Sequence, residues 1–405
     1  MDFKDSPDEA AYRAQVRQWL ADNAPAFQVP PGTPEDEQEY MRLARGWQAR
    51  KAQAGYVGIH WPKAVGGQQG TPIQHVLFHQ EEEHYSLPTI PFHVGMGMCL
   101  PTIFTHGTPD LVERFVQPGM RGEELWCQLF SEPAAGSDLA GVRTRAVRDG
   151  DDWVVNGQKV WTSYAHESQF GILLVRTDPE VPKHKGLTMF WLDMRSPGVE
   201  VRPIRTLLGD AEFNEVFLSD VRIPDSQRLG KVGDGWKVSL TTLMFERFAV
   251  GGKPAQSPGV RDVLELAGTL APAGVDVLDT PGLEEALARF YVTDQGVALT
   301  RMRAMTAVSR GDVPGPEASI GKLVMAKTLQ DMSAFALEMM GPAALDNAPG
   351  TPAGRFNYWY MWSAGLRIAG GTDEILRNVI AERVLGLPPD IRVDRDVAFN
   401  KIGTA

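Results

Sequence analysis

Gln128–Ser163 reads QLFSEPAAGSDLAGVRTRAVRDGDDWVVNGQKVWTS, and the strongest signals in the chain sit at its two ends. Ser131-Glu132-Pro133-Ala134-Ala135-Gly136-Ser137-Asp138 is a loop by composition: Pro fixes one φ, Gly frees another, and Ser and Asp bond to nearby backbone. Such a loop offers clustered N–H groups and two hydroxyls to a phosphate or to the edge of a heteroaromatic ring. Asp149-Gly150-Asp151-Asp152-Trp153 reads as a hairpin. Val154–Ser163 reads as a strand broken by a turn at Asn156-Gly157. It ends on Trp161-Thr162-Ser163, a flat aromatic face beside two hydroxyl donors, which suits a stacked ring with polar edges.

Around this stretch, from Glu123 to Pro224, short β-rich runs recur: Trp153–Val155, Phe170–Val175, Leu187–Leu192, Val199–Val201 and Glu215–Leu218, punctuated by Gly, Pro and Asp. That spacing predicts a compact β domain, a sandwich or barrel. The N-terminal third is mostly helical. Ser6-Pro7-Asp8-Glu9 is a helix start with a capping box, and Tyr12, Val16, Trp19 and Leu20 fall on one face. Pro30–Pro34 is a linker, Glu35–Ala54 a second helix stopped by Gly55, and Trp61–Gly67 a loop. Helices return after Trp236, over Val238–Val250, Leu283–Ser309 and Ala318–Met340. Pro254–Pro281, rich in Pro, Gly and Ala, reads partly as loop. Thr372 or Asp373 caps a last helix that Gly386 and Pro388 stop. The fold class expected is α+β: an N-terminal helical domain over 1–122, a middle β domain over 123–232 and a C-terminal helical domain over 233–405.

The 405 residues carry a net charge of −11, which argues against nucleic acid and anionic membrane as partners. Two cysteines, Cys99 and Cys127, form no disulfide framework and fit a reducing compartment. No leader or transit pattern and no run near the length of a membrane span is visible, so a cytoplasmic protein is expected. His75 and His79 are four residues apart near Glu81–Glu83, a spacing that suits a metal. A third ligand at fixed spacing is missing, and a solvated acidic helix face accounts for the run, so no metal is expected. His60, His93, His106, His166 and His184 form no motif. No G-x-G-x-x-G follows a strand and no Walker loop occurs, so any flavin would bind without a Rossmann domain.

Taken together, the loop and the strand resemble the middle domain of the acyl-CoA dehydrogenase family. Its members carry a T/S-E-P-x-A-G-S-D loop, here Ser131–Asp138, and a K-x-W-x-T/S strand, here Lys159–Ser163. The likeness extends to Trp61–Gly67, to Asp220-Val221-Arg222-Ile223-Pro224 and to Gly370-Gly371-Thr372-Asp373-Glu374-Ile375. It implies FAD as cofactor and α,β-dehydrogenation of an acyl-CoA thioester, as in fatty acid β-oxidation. A carboxylate removes the α-proton, the β-hydride goes to the flavin, and donors hold the thioester oxygen as charge builds on it. It also implies that Gln128, Phe130, Ser131, Gly136 and Ser137 line the flavin, with Ser137 also near CoA. Trp161, Thr162 and Ser163 would flank the ring from the other strand, and Thr372 and Glu374 would meet the adenosine part. Thr372 equally suits a helix cap and Glu374 a helix dipole. Gly370 and Gly371 would let the backbone approach the thioester.

Many relatives carry the catalytic base in Y-E-G-T before the last helix. Here that position is Gly370, which does no proton chemistry. The long-chain and isovaleryl branch uses a Glu in an E-R pair on the first helix after the β domain, and Glu246-Arg247 matches it. Phe245 and Phe248 would make the surroundings apolar and raise the carboxyl pKa toward that of a useful base; on the helix alone, a surface Glu paired with a nearby cation is the favoured reading. Arg247 matches an Arg near the acyl-CoA. The family's R-x-x-F-G, whose Arg reaches a neighbour's FAD, is missing from Ser257–Pro281, and Glu338-Met339-Met340-Gly341-Pro342 replaces Q-x-x-G-G. An α2β2 hetero-tetramer with a related subunit and a modified homo-oligomer are both compatible. The resemblance implies an electron-transfer flavoprotein as acceptor. An acyl-CoA oxidase and a non-catalytic acyl-CoA-binding subunit are the alternatives.

Overall fold

The computed structural model describes residues 5–29, 36–250, 257–270, 281–309, 315–348 and 350–402. The chain divides into two compact units. The first gathers α1 (Pro7–Asn23), α3 (Pro72–Glu82), α7 (Val260–Leu270), α8 (Leu283–Ser309), α9 (Ala318–Met340), α10 (Pro352–Leu366) and α11 (Asp373–Arg383). Ser6 caps α1 with a full capping box to Glu9, and Val16 and Leu20 are buried. The sequence missed α10, and it missed α7 inside the Pro/Gly-rich tract. Val263, Leu266 and Ala267 of α7 pack against Leu283, Phe290, Met332 and Phe356. That apolar seam stabilises a helix whose flanks look like loop. The Pro30–Pro34 linker lies outside the described residues.

Glu81 and Glu82 do not form a solvated face: both are buried. Arg13 and Arg17 of α1 reach Glu81 at 2.7 Å each, and His79 Nδ1 lies 3.1 Å from Glu82. The guanidinium groups replace the water a carboxylate needs, so the acidic run ties α3 to α1. Among the described residues no cluster of three His, Cys, Asp or Glu could hold a metal, and no helix is long and apolar enough to cross a membrane.

The second unit holds α2 (Glu37–Gln53), α4 (Leu100–His106), α5 (Pro109–Met120), α6 (Gly235–Val250), the strands and the segment after Asp390. The strands are β1 (Trp126–Leu129), β2 (Arg145–Asp149), β3 (Asp152–Lys159), β4 (Phe170–Arg176), β5 (Leu187–Asp193), β6 (Val199–Ile204), β7 (Phe213–Pro224) and β8 (Arg228–Leu229). They form one sheet in the order β6-β7-β3-β2-β4-β5-β8, with β1 parallel to β4. The Asp149–Asp152 hairpin is present as read. On β4, Ile172 and Leu174 pack with Leu100, Ile103, Phe115 and Val116 of the helices. Leu173 and Val175 face Trp153, Val155, Val216 and Leu218. Trp153 on β3 and Phe190 on β5 have ring centroids 5.7 Å apart although two strands separate them in the sheet. A flat sheet would hold them roughly 14 Å apart, so this one curls over on itself. Burial on both faces explains the unbroken apolar run of β4.

Asn156-Gly157 is not a turn. β3 runs through it, with a register irregularity between Val155 and Gly157. A Cβ on Gly157 would lie 2.3 Å from Thr144 Oγ1 and 2.7 Å from Thr144 Cα. Glycine is required there by close backbone approach, and the strand bulges without reversing. Trp161–Ser163 lies beyond the strand's end.

Candidate active site

Ser131–Asp138 follows β1 and folds back on itself: Glu132 and Ala135 exchange two backbone hydrogen bonds of 3.0 Å. The Glu132 carboxylate is then enclosed. Oε2 accepts from Arg143 N–H at 2.6 Å, and Oε1 accepts from Thr144 N–H at 2.9 Å and from Lys159 Nζ at 2.8 Å. Lys159 is fully buried and also donates to Phe130 O at 3.0 Å. Burial pushes the Glu132 carboxyl up, but the Lys159 charge and these hydrogen bonds outweigh it and hold it below the usual carboxylate range. Burial draws Lys159 below the usual lysine range, against the opposing pull of Glu132. Both family motifs therefore meet in one ion pair. Beside it, Val160 N–H donates to Ser131 O at 2.9 Å, so Ser131 and Trp161 stand at the same end of the sheet.

Trp161 sits at φ 59° and is 60 % exposed, and Tyr164 at φ 51° closes the bend. Thr162 is 1 % exposed and its hydroxyl finds no partner among the described residues. Gly136 and Ser137 are exposed, and a Cβ added at Gly136 would meet nothing within 4 Å. An exposed aromatic face, a buried hydroxyl awaiting an acceptor and an open glycine-serine loop are features a bound flavin would use, so the residues present fit the group. Gln128 is half-buried on β1. Phe130 is core: its side chain packs with Trp126 and Val142, leaving its backbone as what it can offer a ligand.

The bend rests on residues the sequence did not single out. Asn214 Nδ2 donates to Thr162 O, and His166, which fits no motif, braces Asn214. The available signal was a polar residue at an inward position of an alternating strand, since Asn214, Val216 and Leu218 share the buried side of β7. Ser163 donates its hydroxyl to the Glu212 carboxylate. Burial and then the Asp210 charge push the Glu212 carboxyl up to about 7, against that hydrogen bond. An acid raised from its ordinary value stabilises the fold below about pH 4.5 and loses that contribution as pH rises through 7. From this group stability is expected to fall by at most about 3 kcal/mol over that interval. Urea midpoints should show the slope, and Glu212→Gln should abolish it and raise stability at pH 8 (an unchanged slope removes Glu212 as its source).

Glu246 and Arg247 fall on α6. Thr242 Oγ1 lies 2.8 Å from Thr102 Oγ1, His106 Nε2 lies 2.8 Å from Thr241 Oγ1, and Phe245 meets the Phe104 ring edge-on. These contacts dock α6 on α4. Position 246 is one turn beyond Thr242 on the same helical stripe. The side chains of Glu246 and Arg247 lie outside the described residues.

In the other unit, Thr372 caps α11, accepting from Ile375 N–H at 3.2 Å. Glu374 is exposed in the first turn, 3.7 Å from Arg377. Gly370 and Gly371 are both left-handed, at φ 63° and 91°, and Lys322 Nζ donates to Gly371 O at 2.6 Å. Two such residues in succession make glycine the favoured choice at both. Arg367 spans the turn to Asp373 at 2.7 Å, while Asp373 Oδ1 is buried without a partner among the described residues. Gly341 ends α9 at φ 55° where relatives carry Q-x-x-G-G.

One curled sheet with helices packed on one face, and with a Ser-Glu-Pro loop and an exposed Trp bend at its end, makes up a flavoprotein dehydrogenase scaffold. The chain matches the acyl-CoA dehydrogenase N-terminal domain over residues 6–123, the middle domain over 127–221 and the C-terminal domain over 233–385. It is 38% identical over 399 residues to the acyl-CoA dehydrogenase IpdE1 of Mycobacterium tuberculosis, covering 95% of this chain and 99% of that protein. It is 41% identical over 341 residues to FadE34 of the same organism, covering 84% of this chain but only 46% of that longer protein. Among solved structures, the ChsE4-ChsE5 complex of M. tuberculosis matches with a TM-score of 0.78 at 28% identity, covering 96% of this chain and all of that one. The Tcur3481-Tcur3483 steroid acyl-CoA dehydrogenase matches at 0.80 and 27%, with the same coverage. The chain belongs to the acyl-CoA dehydrogenase family, FAD-binding oxidoreductases that act on CH–CH bonds.

Proposed function

We propose that this chain catalyses α,β-dehydrogenation of an acyl-CoA thioester to the trans-2-enoyl-CoA, with Glu246 of the E-R pair removing the α-proton. The observation that carries the reading is the junction of the two motifs: the Glu132–Lys159 pair and the Val160–Ser131 hydrogen bond hold the start of the Ser131–Asp138 loop against the strand end that leads into the exposed Trp161 bend. FAD, when bound, supplies the acceptor for the β-hydride. Trp161 offers the face against which a ring stacks, with Gln128 and the hydroxyls of Ser131, Thr162 and Ser163 as its polar neighbours. Ser137 and Arg247 serve the CoA ester, the backbone at Gly370 and Gly371 approaches the thioester, and Thr372 and Glu374 meet the adenosine part. Glu246 stands on a helix fixed by Thr241, Thr242 and Phe245, and glycine at 370 removes the alternative base.

The likeness to a steroid acyl-CoA dehydrogenase supports an acyl group carried on a steroid skeleton as the substrate class. The likeness to a complex of two chains, with the loss of R-x-x-F-G, supports an assembly in which a related subunit completes the cofactor site. An electron-transfer flavoprotein then takes the electrons. Flavin content of the chain purified alone and co-purified with a dehydrogenase-like partner tests the cofactor, and anaerobic addition of steroid acyl-CoA tests the reaction. Bleaching of the visible flavin band by that thioester, and much less by straight-chain acyl-CoA, is expected. No bleaching by any acyl-CoA in a flavin-loaded assembly would refute the reading.

A further inference from the structure

The Trp161 bend is costly. A bulky residue at φ 59° and a second at φ 51° three positions on are each strained, and such backbone persists only where its surroundings over-determine it. Here the surroundings are two consecutive residues at the head of β7. The β3–β7 ladder ends at Lys159 and Val216. Past it, Asn214 continues the pairing: its carbonyl accepts from Thr162 N–H at 3.1 Å, and its side-chain Nδ2 returns a hydrogen bond to Thr162 O at 2.9 Å. The same amide donates to Glu212 O at 3.2 Å, and that carbonyl also accepts from Tyr164 N–H at 2.8 Å.

With Nδ2 committed to two carbonyls, Oδ1 faces His166, whose Nδ1 donates to it at 3.0 Å. His166 Nε2 in turn lies 2.8 Å from the Glu37 carboxylate on α2. Asn214 is fully buried with both side-chain polar atoms used. On its neighbour, the Phe213 ring meets the Trp161 ring edge-on, centroids 6.0 Å apart at 82°. One residue thus holds the peptide of the bend and the next buttresses the ring that the bend presents.

We propose that Asn214, braced by His166 and Glu37, is the positioning residue that fixes the Trp161–Ser163 bend in its flavin-receiving conformation. This rests on the flavin reading above. Without the amide, Trp161 relaxes toward negative φ and its ring leaves the open end of the sheet. Thr162 and Ser163 turn with it.

The sheet supplies its own control. Asn156 clamps another left-handed residue, Asp220 at φ 51°: its Nδ2 donates to Asp220 Oδ1 at 2.9 Å, and its Oδ1 accepts from Asp220 N–H at 3.0 Å. Asn214→Ala, Asn156→Ala and wild type would be purified in the same assembly. Each would be read for FAD dissociation constant, visible circular dichroism of the flavin and Tm of the flavin-free protein. Asn214→Ala should weaken FAD by about tenfold or more, the worth of one or two hydrogen bonds, and change the flavin dichroism. Asn156→Ala should lower Tm and leave both flavin readouts as in wild type. His166→Ala keeps Asn214 but removes its brace, and should weaken FAD by roughly two- to fivefold. This guards against a poorly folding Asn214→Ala. Wild-type flavin affinity and dichroism in both the Asn214 and His166 variants would overturn the proposal while leaving the flavin reading standing. A wild-type assembly that binds no FAD would overturn both.

Discussion

Lys159→Met is expected to lower the unfolding free energy by about 3–5 kcal/mol, read from urea denaturation followed by circular dichroism. The ammonium is fully buried, and its partners are the Glu132 carboxylate at 2.8 Å and the Phe130 carbonyl at 3.0 Å. Methionine fills similar space but leaves Glu132 charged, buried and held only by the Arg143 and Thr144 N–H groups. The energy of that unpaired charge dominates, because a pair largely compensates its own desolvation whereas a single ion does not. A double variant, Glu132→Met with Lys159→Met, should therefore be more stable than Lys159→Met alone. A loss below about 1 kcal/mol in the single variant would mean that water reaches Glu132 and that the pair does not join the two motifs as a dry strut. Flavin should be lost with stability in Lys159→Met, since the same strut sets Ser131 against Val160.

That strut marks the boundary of what the sequence could convey. Ser131–Asp138 and Lys159–Ser163 were legible as motifs, but nothing in their spacing says that the second residue of one motif neutralises the first residue of the other. Long helices declared themselves by periodicity: Leu283–Ser309 and Ala318–Met340 are α8 and α9 as read. So did local chemistry such as the Ser6 capping box. Contacts distant in sequence erased other readings. Asn156-Gly157 has the composition of a turn, yet Thr144 pressing on Gly157 makes it a bulge within a strand. Glu81 looks solvated until Arg13 and Arg17 arrive from α1.

The segment after Asp390 carried no signal at all. It returns to the sheet unit, where Phe399 lies 3.4 Å beneath the Arg176 guanidinium and Asp394 reaches Lys183 at 2.6 Å. Lys183 also pairs with Asp138 at 2.8 Å, so this segment steadies the Ser131–Asp138 loop from outside. Arg176 donates to three backbone carbonyls, and burial draws it down to about 10. Its buried charge has an aromatic face in place of a carboxylate, an arrangement that no local pattern announces.

In the flavin-loaded assembly, Glu246→Gln is expected to slow flavin reduction by acyl-CoA by about 10²–10⁴-fold, the usual worth of a general base. FAD content and acyl-CoA affinity should stay near wild type, because glutamine keeps the shape and polarity of the side chain and removes only its basicity. Single-turnover stopped-flow measurement separates the two effects: the reduction rate should collapse while its half-saturation concentration holds. The expectation depends on position 370 as much as on position 246. Gly370 has no side chain and stands at φ 63° ahead of Gly371 at φ 91°. A glutamate there would be forced into the left-handed region, at a cost of roughly 1 kcal/mol or more. Adding Gly370→Glu to Glu246→Gln should accordingly fail to restore the wild-type rate. If Glu246→Gln reduced its flavin within about threefold of wild type, less than the smallest usual worth of a general base, the α-proton would be leaving to another group, and the E-R assignment would fall while the family assignment stood. If the double variant regained full rate, the Gly370-Gly371 turn would be more compliant than its Lys322 and Arg367–Asp373 supports imply. The choice of helix for the base would then be a matter of substrate room and not of backbone conformation.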